Sequence, residues 1–265
     1  MKIYILLLIL CTLLVPGASA YAAPIGSPDP SVDGSLVALA FGFDNILERD
    51  LKVSDANSAK TEDSTSFYAR LSYKPLSFLC LYGNAGTMKF TNYFTLNNGT
   101  KYHEKYKIGF IGGGGANIFF NIMANTRIHV DNQINWWTCD IEEATVDNGG
   151  TSNEKGNITA WEYQVTGLIS YRFDLEEYAH PAQGEKTYWA PYAGVKYSHL
   201  EMETDIKVDF SNSTDYIPGK RENDTKIGIV GGCDLVMPLF PNFKLNVEGR
   251  FLDDTAVSLN AMYNF

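Results

Sequence analysis

The sequence predicts an all-β protein, an antiparallel up-and-down transmembrane β-barrel of about ten strands, within a range of eight to twelve. Three observations predict it. After the first twenty residues the helical period is almost absent and apolar residues recur at every second position. Several of these alternating segments begin and end their apolar face in an aromatic residue. The segments are also long, with none under 9 residues. Soluble strands usually have about 5 to 6 residues, whereas about 9 to 11 cross a bilayer at a tilt.

Composition narrows the classes. The chain has 265 residues, 45% hydrophobic and 20% charged, with a net charge of −10. Aromatic residues make up 13%, too many for a disordered chain. A mean hydropathy of −0.15 excludes a bundle of membrane helices. It does not exclude a barrel, in which only every second residue faces lipid. The acidic balance argues against nucleic-acid binding, which needs clustered Lys and Arg.

The N-terminus reads as a secretory signal. Lys2 supplies positive charge, Ile3 to Val15 form an apolar run, and Pro16-Gly17 break it. Ala18-Ser19-Ala20 then presents small residues for cleavage. Cleavage is expected after Ala20, with Ala22 and Ala23 as alternatives. Residues 21–34, with Pro24, Pro28 and Pro30, read as a periplasmic lead-in, and 35–265 as the barrel. Cys80, Cys139 and Cys233 remain after the signal. An odd count, with Cys80 and Cys233 in apolar segments, argues against a disulfide framework.

The expected strands are 35–43, 64–74, 77–87, 104–115, 123–137, 159–173, 187–200, 225–237, 243–252 and 255–265. In 243–251, Phe243, Leu245, Val247, Gly249 and Phe251 alternate with Lys244, Asn246, Glu248 and Arg250. In 161–173 the apolar face runs from Trp161 to Phe173, with Leu168 out of phase. An even count brings both termini to one end. Polar stretches follow alternate strands: Asp44–Asp63, Met88–His103, Thr138–Ile158 and Glu201–Asp224. They read as external loops, and shorter links as periplasmic turns. The hairpin turning at Asp253-Asp254 breaks that rule. The rival reading is a soluble secreted β-sandwich binding module, which also alternates but has no reason to place aromatics at both ends of a strand.

The C-terminus makes the reading more specific. Val257, Leu259, Ala261, Tyr263 and Phe265 alternate with polar residues, and the aromatic Phe265 closes the chain. This resembles the assembly signal of bacterial outer-membrane proteins, carried by Phe265 and Tyr263. The stretch from Trp189 to Tyr197 resembles a strand common in small barrels. The chain is similar to the small outer-membrane β-barrel superfamily, which includes outer-membrane protein A transmembrane domains and opacity-type surface proteins. The resemblance implies outer-membrane lipid and the outer-membrane assembly machinery as partners.

With the aromatic-rich faces toward lipid, the lumen receives Arg70, Lys107, Arg127, His129, Asp131, Glu162, Arg172, Lys196, Lys226, Asp234, Lys244, Glu248 and Arg250. In a small barrel such charges are expected to pair and fill the interior. The expected function is a structural or surface-interaction role, toward an external ligand or host surface; the alternative is a small cation-preferring channel. His129 and Asp131 share the inward face, but no serine is placed as a nucleophile, so no enzyme is expected. No pattern calls for a cofactor or metal. Gly112–Gly115 has no following helix and reads as relief of crowding in the wall. The polar stretches are acidic: six acids against three bases in 44–63, five against one in 138–158 and seven against three in 201–224. They would repel anions and gather cations.

Overall fold

A computed structural model describes residues 35–53, 56–146, 150–174, 188–210, 213–216, 219–237 and 240–265. The expected signal peptide and lead-in lie outside the described residues. The strands are β1 (Val37–Val53), β2 (Ala56–Leu76), β3 (Leu79–Leu96), β4 (Lys101–Tyr106), β5 (Gly109–Asn121), β6 (Thr126–Val146) and β7 (Gly150–Tyr171). They continue as β8 (Phe173–Asp174), β9 (Tyr188–Phe210), β10 (Ser213–Tyr216), β11 (Lys220–Asn223), β12 (Ile227–Met237), β13 (Phe240–Phe251) and β14 (Thr255–Asn264).

Every pairing is antiparallel, and the sheet closes. The ring runs β1-β2-β3-β5-β6-β7-β9-β12-β13-β14 and returns to β1. These ten wall positions match the expected number. Closure joins the first and last described strands: Ala38 pairs with Asn264, and the Phe265 N–H donates to the Val37 carbonyl at 3.0 Å. A single closed ring excludes the two-sheet sandwich.

Faces follow from alternation. Phe41, Phe67, Leu71, Tyr73, Trp161, Ile169, Val195, Val247, Val257 and Leu259 point outward and are exposed. Toward the terminal end the belt finishes in Tyr171, Phe173, Trp189, Tyr263 and Phe265. Toward the loop end it finishes in Phe67, Phe110, Trp161 and Phe251. An outward apolar band between two aromatic girdles, on an even-numbered ring, is the surface that hydrocarbon and its two interfaces select. In water such an area of exposed apolar side chains would drive aggregation.

The four polar stretches are not loops. Each hairpin continues as a ribbon beyond the belt, and the one ribbon turn that is described throughout is short: β3 and β4 are separated by Asn97–Thr100. The outer face of the ribbons changes from apolar to charged. Lys89 pairs with Glu142 at 3.0 Å, Lys220 with Glu201 at 2.8 Å, and Lys60 with Glu62. The inner face changes the opposite way, from polar to apolar. The composition of these stretches reflects only the outer half of each strand, so polarity hid the alternation.

Bulges hid it further. β1 shifts register between Ile46 and Glu48, so Ile46 and then Arg49, Leu51 and Val53 point inward. Opposite it, β2 shifts between Glu62 and Thr65, where Asp63 has a φ of 50°. One extra residue reverses the parity of everything beyond it.

The loop end carries the structure's main departure from a plain cylinder. β13 and β14 stop at the belt boundary, joined by Leu252-Asp253-Asp254. Above them β1 pairs directly with β11, Leu51 to Asn223 and Val53 to Arg221. The upper ring is therefore β1-β2-β3-β4-β6-β7-β9-β11, eight positions above ten. The short last hairpin is roofed by its neighbours.

The assignment of faces has a direct test. Val247→Arg, mid-belt and outward, is expected to cost about 2–4 kcal/mol, read as a lowered urea midpoint in lipid vesicles. Lys244→Gln on the opposite face, beside Asp234 at 3.7 Å, is expected to assemble at normal yield.

Candidate functional site: the barrel interior

The interior has two storeys. Below, within the belt, it is polar. Three tyrosines organise it in the same way, each lying across an inward-facing glycine to reach a partner on the next strand. Tyr68 crosses Gly42 and donates to Asn260 Oδ1. Tyr82 crosses Gly115 and donates to Asp131 Oδ1 at 2.8 Å. Tyr192 crosses Gly232 and donates to Glu248 Oε2 at 3.1 Å. A Cβ at Gly42, Gly115 or Gly232 would overlap the tyrosine ring. The glycine run is thus the floor on which Tyr82 lies, and beside it Asn84 reaches Asn135 over Gly113 at 3.0 Å.

Charges are threaded between these rings. The Arg70 guanidinium sits over the Tyr82 ring at 4.4 Å. Asn246 Nδ2 donates to Asp234 at 2.8 Å and to the Tyr192 hydroxyl at 2.9 Å. Arg250 contacts three carboxylates: Asp44 at 2.9 Å, Asp254 at 3.1 Å and Glu248 at 3.3 Å. The inward turn completes the network. Asp253 and Asp254 are each 2% exposed. Lys196 Nζ meets Asp254 at 2.6 Å and Asp253 at 2.9 Å, and Arg49 donates to Asp254 at 2.9 Å. Arg49 also faces Glu162 at 3.5 Å, and Ser198 Oγ donates to Asp253 at 2.9 Å. Buried charge is stable only when so paired.

Above, inside the ribbons, the interior is an apolar core. Phe90, Phe94, Tyr106, Trp137, Ile158 and Met202 pack together with others of the eight-membered ring, all buried. The Phe90 and Tyr106 rings stack at 4.4 Å. One ion pair is enclosed in this core. Arg221 grips Glu104 with both guanidinium nitrogens, at 2.7 and 3.0 Å, and Tyr106 donates to Glu104 at 2.6 Å. A wide water column cannot pass such packing.

Of the residues expected to face the lumen, Arg70, His129, Asp131, Glu162, Lys196, Asp234, Lys244, Glu248 and Arg250 are buried in the interior. His129 and Asp131 do not act together: His129 Nε2 meets Ser170 Oγ at 2.9 Å, while Asp131 accepts from Tyr82 and Asn117. Arg127 and Arg172 lie at the terminal mouth. Arg127 donates to Asn121 at 2.7 Å, and Arg172 donates to Asp174 at 2.6 Å and covers Tyr188.

Two expectations are corrected. Lys107 is exposed, in the break between β4 and β5, where its N–H donates to the Asp140 carbonyl at 2.9 Å. That break reverses the parity counted back from Ile111. Lys226 lies in the link before β12, 38% exposed near Glu222, at the rim rather than in the lumen. Asp44, Arg49, Arg221, Asp253 and Asp254 were missed because they lie in segments that read as loops or turn, and Glu104, in the expected strand 104–115, because the break at Lys107-Ile108 reverses its parity. The alternation of Leu51 and Val53 beyond the bulge was the available signal. Among the described residues no disulfide joins Cys80, Cys139 and Cys233.

No protein-family model matches the sequence, and no curated protein matches it. Among solved structures, the chain is similar to the translocator domain of the autotransporter NalP from Neisseria meningitidis. Identity is 9% and TM-score 0.46, over 88% of this chain and 91% of that one. The β domain of the Bordetella autotransporter BrkA shares 10% identity with a TM-score of 0.42, over 87% of this chain and 100% of that one. Ail of Yersinia pestis shares 10% identity with a TM-score of 0.30, over 87% of this chain and 99% of that one. The fold and location rest on the ring and its belt, not on these distant likenesses. The chain is an outer-membrane β-barrel. Its even ring and apolar belt between aromatic girdles are those of the bacterial type.

The enclosed pair gives a sharp test. Arg221→Met leaves Glu104 charged in an apolar core and is expected to cost about 3–5 kcal/mol. Adding Glu104→Leu is expected to recover most of that loss. Urea midpoints of the two variants check both expectations.

Proposed function

We propose that this protein is a closed-lumen barrel whose work is done at its external surface rather than through its pore. One observation carries the reading: the interior is occupied at both levels. The lower storey is cross-linked by paired charges, and the upper storey is an apolar core with the Glu104–Arg221 pair inside it. A conducting barrel needs a continuous hydrated path. Instead the eight-membered ring narrows the wall where the core sits. The ribbons, by contrast, are long, rigid by pairing and charged on their outer face, which suits presentation of a surface to an external ligand or host surface. Catalysis finds no support inside, since His129 and Asp131 are each engaged elsewhere.

Purified protein in planar bilayers is expected to give no steady single-channel steps. Steady cation-preferring steps would overturn the closed-lumen reading in favour of a small channel.

A further inference from the structure

We propose that the outer face of the ribbons carries a binding site for a neutral oligosaccharide. The inference rests on the surface-interaction reading above and gives it a ligand class. Strand register lines up one outward row across five strands: Asp50 with Lys60, Lys60 with Tyr93, Tyr93 with His103, and His103 with Thr145. This row lines a cavity of about 570 Å³, together with Lys101. The volume is within the range of about 300–1,000 Å³ usual for small-ligand sites.

The chemistry matches a sugar. A pyranose presents an apolar C–H face and a rim of hydroxyls that both donate and accept. Tyr93 and His103 stack with ring centroids 4.3 Å apart and planes within 8°, which covers one face of each ring and leaves the other faces and the edges as apolar contact surface among polar and charged neighbours. Around it stand an acceptor in Asp50, a donor in Lys101 and a hydroxyl in Thr145. His103 Nε2 is shielded from solvent and has no hydrogen-bond partner among the described residues. Burial and the neighbouring Lys105 lower the His103 imidazole from its ordinary value, which favours the neutral ring, a form that can both donate and accept.

Two other ligand classes fit less well. The Lys60 ammonium is already engaged by Glu62, and the next row toward the membrane holds three carboxylates, Glu48, Glu62 and Glu143, against one cation, Lys105, a net negative balance that disfavours a polyanion. Among the described residues no group of three or more His, Cys, Asp or Glu could hold a metal ion.

Saturation-transfer NMR on the full detergent-solubilised protein tests the site, with maltotriose and chitotriose as neutral probes and a heparin-derived hexasaccharide as the anionic one. Saturation is expected on the ring protons of a neutral probe. It should be lost in Tyr93→Ala and reduced in Lys101→Ala, with both variants keeping the heat-modifiable gel shift of a folded barrel. No transfer to either neutral probe, transfer unchanged in Tyr93→Ala, or transfer confined to the heparin fragment would overturn the proposal. A barrel that conducts yet still transfers to a neutral sugar would overturn only the closed lumen. A closed barrel without transfer would overturn only this site.

Discussion

The architecture depends on how the turn at Asp253-Asp254 is held. A hairpin that ends at the membrane boundary leaves a notch in the wall, and exposed strand edges there would invite unwanted pairing. Two things close it. β1 and β11 meet above it, and the turn folds inward so that Lys196, Arg49 and Arg250 hold its two carboxylates. Three cations on three wall strands converge on one turn. The step from ten positions to eight is possible because this turn is fixed from inside. Asp44 and Glu162 extend the same network around the ring.

The surface pattern inverts at that step, and each half of the inversion requires the other. Within the belt the outside is solvated by lipid, so apolar residues go outward and the polar interior must satisfy itself. Tyrosines over glycines do this by reaching across a strand, which fills space and supplies hydrogen-bond donors at once. Beyond the belt the outside is solvated by water, so the ordinary rule of soluble proteins returns. Charges cover the ribbons, and Phe90, Trp137 and Met202 fill the centre. Burying each such side chain contributes about 1.5–3 kcal/mol, an order of stabilisation the lipid-facing residues cannot supply between strands.

Much of this was legible in the sequence, and the part that was not has a physical cause. Period two, aromatic strand ends and the terminal Phe265 identify a barrel, its strand number and its faces, because lipid acts on every second residue over a fixed length. Val247 outward and Lys244 inward need nothing more. The ribbons were illegible because their outer residues, such as Glu48, Lys60 and Glu142, set the composition of segments that read as loops. Bulges near Leu47 and Asp63, and the break at Lys107-Ile108, each reversed parity, so counting inward residues from the belt failed beyond them. Arg49 and Glu104 were lost for that reason, Lys107 was misplaced for the same one, and Arg221 was lost inside a stretch that read as a loop. Leu168, out of phase by sequence, faces inward and packs with Tyr192 and Val230.

The placement of the one enclosed ion pair follows from these constraints. A bidentate Arg–carboxylate pair costs desolvation wherever it is buried, and apolar replacements are often as stable. Here Arg221 belongs to β11, a strand of four residues that bridges β1 and β9 above the short hairpin. Glu104 belongs to β4, the other short upper strand, which lies between β3 and β6. Neither strand is long enough to be set by ladder hydrogen bonds alone, and both end at a break in the wall. The Arg221–Glu104 contact ties one to the other across the centre of the eight-membered ring. Apolar side chains at both positions could fill the volume but would accept several registers. A two-pronged contact with Tyr106 on the same carboxylate accepts one. The pair therefore adds register specificity to the closed upper ring, over and above the stability that apolar replacements would also supply.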